Sequence, residues 1–216
     1  MTKWHHAPPH RLKPIGKYMI TAATLHKEHF FANPKHLDQL QHTLFSLIKR
    51  YQIELKAWAL FSNHYHLILE VHPESEELSS FIRHFHSLSA RELNHSTSQP
   101  GRRIWYQFWD TLLTYQDSYH ARLRYVMQNP VHHDLVTDAK EYQWCSAQWF
   151  TKNAEPGHCK TIMSYKCNRI NVNDGFEKPI LTVFLCRFYE NNLIWFEPLT
   201  RQRQEQYDSV LLLQSP

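Results

Sequence analysis

The chain lacks the features that would suit it to an oxidising compartment or a bilayer. Its four cysteines, Cys145, Cys159, Cys167 and Cys186, make no Cys-x-x-Cys pair, and His158-Cys159 with Cys167 has the wrong spacing for zinc. No apolar run approaches membrane-spanning length, and the opening MTKWHHAPPHRLKP has no signal-peptide core. A cytoplasmic protein without a membrane partner is expected. Charge is also sparse: a net +4 permits a polyanionic partner without requiring one. What the chain does have is 42% hydrophobic and 14% aromatic residues, enough for one well-buried domain, and 17 histidines.

Two of those histidines organise the reading. Chance predicts about 1.3 His-x-His triplets at this composition, and the chain contains two. His84-Phe85-His86 lies in a helical pattern, where residues two apart diverge by about 200°. His64-Tyr65-His66 lies in a strand pattern over residues 56–72. There Tyr65, Leu67, Leu69 and Val71 fall on one face, while His64, His66, Ile68, Glu70 and His72 fall on the other. Imidazoles at i and i+2 of a strand point the same way and can share a cation. Solvated strand histidines are the competing explanation.

Periodicity predicts a strand at residues 17–25 and a helix opened by Asn33 and Pro34, with Leu37, Leu40, Leu44, Leu47, Ile48 and Tyr51 inward. A strand at 55–61 then forms a hairpin with the His-Tyr-His strand. A second helix, 76–93, carries Arg83, His84 and Arg91 outward, and an aromatic strand follows at 104–109. The order is βαββαβ, that of a ferredoxin-like α+β antiparallel sheet. An added helix starts near Asp117 or Ser118 and runs to Gln128, where Asn129-Pro130 stops it. Its stripe is Tyr119, Leu123 and Val126, which leaves Tyr125 off the core face with Asn129 one turn further on the same side. Residues 1–16 read as an irregular basic lead-in, 17–150 as the main domain and 151–216 as an extension of unreadable role.

Three blocks carry a resemblance, in order along the chain. They are Trp58-Ala59-Leu60-Phe61-Ser62-Asn63-His64-Tyr65-His66, then Ile104-Trp105-Tyr106-Gln107-Phe108-Trp109-Asp110, then Leu123-Arg124-Tyr125-Val126-Met127-Gln128-Asn129-Pro130-Val131, with Tyr142-Gln143-Trp144-Cys145-Ser146 as a weaker fourth. Together they resemble the single-tyrosine HUH transposases, in particular the REP-associated tyrosine transposases of bacteria. That family often has a basic residue and a glycine after its Asn-Pro-Val, where this chain has His132-His133-Asp134-Leu135-Val136. Beyond residue 150 only an acidic stretch at 173–177 finds a possible counterpart.

The resemblance implies a chemistry. His64 and His66, with Asn129 as third ligand, would hold Mg²⁺ or Mn²⁺. Tyr125 would attack the scissile phosphate of hairpin-bearing single-stranded DNA, and the cation or a nearby basic group such as Arg124 or His120 would favour its ionised form. The products are a 5′-phosphotyrosyl enzyme and a free 3′-hydroxyl that permits rejoining. Arg83, Arg91, Arg102, Arg103 and Arg124 are the expected DNA-binding residues, and a homodimer is compatible with the reading. One rival is a hairpin-binding protein derived from such a transposase that no longer cuts. A histidine-triad nucleotide hydrolase would need a third alternating histidine, and position 68 is Ile.

Overall fold

The computed structural model describes residues 15–166; the lead-in, the acidic stretch at 173–177, Cys167, Cys186 and the tail lie outside the described residues. Strands β1 (Gly16–Thr24), β2 (Glu54–Leu60), β3 (His64–Val71) and β4 (Trp105–Leu112) form one antiparallel sheet in the order β2-β3-β1-β4. Helix α1 (Pro34–Tyr51) joins β1 to β2, and α2 (Leu78–Ser96) joins β3 to β4. This is the ferredoxin-like α+β arrangement that the pattern predicts. Helix α1 begins as its sequence dictates: Asn33 Oδ1 accepts from the Lys35 amide at 3.0 Å, Pro34 holds the first position, and the expected apolar stripe is buried.

The two faces of the sheet are covered differently. Tyr65 packs on Phe85 of α2 and on Trp105, with ring centroids 5.4 and 5.3 Å apart, so the odd face of β3 meets the α1/α2 layer. The even face is covered by α3 (Gln116–His132), whose Leu123, Val126 and Met127 share a core with Met19, Ala57, Ala59 and Ile68. His64 and His66 are accordingly buried, at 1% and 0% exposure. Solvated strand histidines are therefore not what this chain has.

Helix α3 departs from expectation in three respects. It opens at Tyr115 with no side-chain cap, so neither Asp117 nor Ser118 has that role. It continues through Pro130 to His132. Proline removes the donor that the Val126 carbonyl would use, and the Cys145 thiol sits 3.8 Å from that oxygen and 3.5 Å from the next, on Met127. Tyr125, placed off the core face by its spacing, is 7% exposed. The reason lies beyond the sheet. Ala139, Tyr142, Phe150 and Ile162, from the segment holding α4 (Ala147–Asn153) and α5 (Pro156–Ser164), pack into the same core as α3. A helix covered on both sides has little polar face to show in its periodicity.

The Tyr142–Ser146 block runs along the outer edge of β2. The Leu60 amide donates to Trp144 O at 3.0 Å, the Ser146 amide to Trp58 O at 2.9 Å, and the Tyr142 hydroxyl to Leu60 O at 2.9 Å. It thereby closes one exposed sheet edge. No helix among the described residues is long and apolar enough to cross a membrane.

Candidate active site

The hairpin between β2 and β3 brings His64 and His66 onto one face with their ring centroids 5.0 Å apart. Each ring is oriented through Nδ1. That of His64 lies 2.7 Å from Asn63 Oδ1, and that of His66 lies 2.8 Å from Thr21 Oγ1 on the neighbouring β1. Nε2 is then the nitrogen each imidazole would present to a cation, the usual arrangement when an outer hydrogen bond fixes a ligating histidine. Phe61 stacks on His64 at 4.5 Å.

Helix α3 supplies the other wall. The Tyr125 ring stands 5.5 Å from that of His66, and the His133 ring, just past the helix end, stands 5.2 Å from that of His64 at 90°. Asn129 lies one turn after Tyr125 on the same side of α3. It is completely buried, and neither Oδ1 nor Nδ2 has a hydrogen-bond partner among the described residues. A buried polar group left unsatisfied costs about 1–3 kcal/mol. His64 Nε2, His66 Nε2 and the Asn129 amide are all buried without a hydrogen bond among the described residues, and two imidazole nitrogens with one amide oxygen make a mixed donor set whose chemistry fits a divalent ion such as Mn²⁺ or Mg²⁺.

Sequence reasoning overlooked His133, Thr21 and Asn63. His133 was legible in principle as the third member of the Tyr125–Asn129 row, but ending the helix at Gln128 hid it. Thr21 was signalled only by a polar residue in the middle of an apolar strand. The groups proposed to ionise Tyr125 face elsewhere. His120 contacts Gln116 at 2.6 Å and the rings of His158 and Tyr165, and Arg124 donates to the Tyr165 carbonyl, so both are directed toward the α5 side.

The expected DNA-binding arginines do not gather around the imidazoles. Arg83 and Arg91 are exposed on α2, in the layer on the opposite side of the sheet, with Arg83 held by Ser80 and Glu77. Arg102 is engaged by Asn94, Thr97 and Gln99 and lies over the Phe30 ring, pinning the turn between α2 and β4. Arg103 donates to the Trp105 and Tyr106 carbonyls at 3.2 Å.

A second group of metal-ligating types, Glu54, Glu70 and His72, lies about 13 Å further along the strands. Lys17 binds Glu70 at 2.8 Å, Lys56 binds both carboxylates, and His72 binds Glu54 at 3.1 Å. Its acidic charge is therefore already met by lysines, and it reads as an ion-pair network.

Comparison with known proteins bears on the family and the fold. No curated protein matches the chain significantly. Among solved structures, a REP-associated tyrosine transposase bound to a REP hairpin is similar in fold, with 17% identity and a TM-score of 0.58 over 82% of this chain and 99% of that one. A protein of Deinococcus radiodurans described as a transposase aligns at 20% identity and a TM-score of 0.41 over 56% of this chain and 95% of the other. The model for IS200-like transposases matches residues 16–129, from the first strand to the buried asparagine of α3. With more than half its length so matched, the chain belongs to the IS200-like transposase family.

Proposed function

We propose that this transposase-family protein cleaves and rejoins hairpin-bearing single-stranded DNA through a covalent 5′-phosphotyrosine link on Tyr125. The observation that carries the reading is the buried row on α3: the Tyr125 ring 5.5 Å from His66, and one turn later the fully buried Asn129 with an amide that no described residue satisfies. His64, His66 and Asn129 would hold Mg²⁺ or Mn²⁺. When bound, such an ion would polarise the scissile phosphate and offset charge on the departing oxygen.

The residues of the chain do the rest. Asn63 and Thr21 fix the imidazole rings, and the surrounding core excludes water that would otherwise hydrolyse the link. The Tyr125 oxygen attacks phosphorus, the bond from phosphorus to the 3′ oxygen breaks, and the phenolic proton is made up on that oxygen. Because the new link is still a phosphodiester, the 3′-hydroxyl of the same or another strand can attack it and restore DNA without nucleotide hydrolysis. Single strands suit such a site because attack in line with a phosphate needs the neighbouring bases out of the way. Residues 83, 91, 102, 103 and 124 stay in the proposal as contacts to DNA outside the scissile phosphate. The fold neighbour solved with a hairpin supports a structured DNA partner.

The test is incubation of labelled hairpin-bearing single strands with the protein and Mn²⁺ or Mg²⁺. A denaturation-resistant adduct is expected with the wild type and none with Tyr125→Phe. Tight binding of the hairpin with no adduct from either protein would instead establish a binding protein that does not cut.

A further inference from the structure

We infer that Trp109 is the platform on which a base beside the scissile phosphate stacks, making it a substrate-positioning residue for the reaction proposed above, on which this inference rests. The placement follows from strand register. Thr21 of β1 pairs with His66 on one side and with Trp109 on the other. Directly paired residues project to the same face, and Thr21 proves which face by touching the His66 ring. Trp109 therefore stands on the imidazole side of the sheet, two strands and about 10 Å from His66.

The cover over that face is incomplete. Helix α3 packs over β2 and β3 and buries Met19 of β1 as well, and among the described residues the part of this face built by β4 is left exposed at Trp109 and Thr111. On β4 the same side carries Gln107, Trp109 and Thr111, of which Trp109 and Thr111 are exposed. Trp109 is 42% exposed, and no ring packs on it among the described residues. An indole left bare beside a buried site, on the edge strand of the sheet, has a flat apolar surface that any base can cover. The occupant it fits is a nucleobase of the single strand, because a flat apolar ring about 10 Å from His66 and on its face lies within a nucleotide or two of a phosphate held between His66 and Tyr125.

The experiment uses the full chain and a hairpin oligonucleotide with a single-stranded arm carrying one 2-aminopurine, moved base by base along the arm. Binding is read by anisotropy in a chelator, and stacking by 2-aminopurine fluorescence. Trp109→Ala should weaken binding of the arm by roughly 5- to 100-fold and abolish quenching at one position. Trp109→Phe should recover most of both, and a duplex without an arm should bind all three proteins alike. Unchanged affinity and quenching in Trp109→Ala would overturn the inference. So would a shift from dimer to monomer with quenching intact, since the face would then belong to a second copy of the chain. Failure of the cleavage reading looks different: no adduct forms, whatever Trp109 does to quenching.

Discussion

Asn129 is where the sequence and the energetics meet at single-residue scale. Its distance from Tyr125 is readable as one helical turn, whereas the loss of all hydrogen-bonding partners on burial is visible only in the folded chain. In a chelator, Asn129→Leu should melt at or above the wild-type temperature, since it removes an unsatisfied amide. Saturating Mn²⁺, at about 100 times its dissociation constant, should stabilise the wild type by about 2.7 kcal/mol and the variant far less. Equal responses to Mn²⁺ in thermal unfolding would remove Asn129 from the ligand set. Asp134 offers a second case. It adopts φ 50°, a left-handed conformation that favours glycine. Asp134→Gly should therefore raise stability by roughly 0.5 kcal/mol in denaturant titration. Burial likewise pushes the Cys145 thiol up to about 12, so thiol reagents should label Cys159 in the native protein and reach Cys145 only on unfolding, as peptide mapping would show.

Among the elements, strands and their pairing were the most legible, because alternation in β3 and the short Ser62-Asn63 connection leave one sensible hairpin. Helix α3 was legible in existence and in its Tyr–Asn row, but not in its ends or its burial. Both failures have one cause: the layer formed by residues 139–164 supplies packing and a thiol contact that local sequence cannot announce. Ile162, fully buried in that layer, tests the point. Ile162→Ala should cost about 2–4 kcal/mol by chemical denaturation. The lysine–carboxylate network on β1, β2 and β3 makes a pH prediction. Burial acts to raise the Glu70 carboxyl, but Lys17 and Lys56 outweigh it and hold it below the usual range. The folded state thus binds the Glu70 proton less readily than the unfolded chain. Its contribution is complete above about pH 4.3 and is lost as pH falls through the lower folded value. Glu70→Gln should flatten the acid limb of the stability curve, measured from pH 6 downward.

For the molecule as a whole, the βαββαβ order fixed the sheet topology in advance because crossover helices of this length leave few ways to connect four strands. What composition could not reveal was which polar residues serve the fold: Arg102 pins a turn, and Glu54 and Glu70 are spent on lysines. The two-sided burial of α3 also governs how strands would be exchanged. Moving the helix would open the core it shares with Ile162 on one flank and with Met19 and Ile68 on the other. Under the reaction proposed above, a nucleophile mounted on so anchored a rod would stay put, and recombination would proceed by traffic of DNA ends past a stationary phenol, one terminus departing past the exposed edge strand before the next arrives.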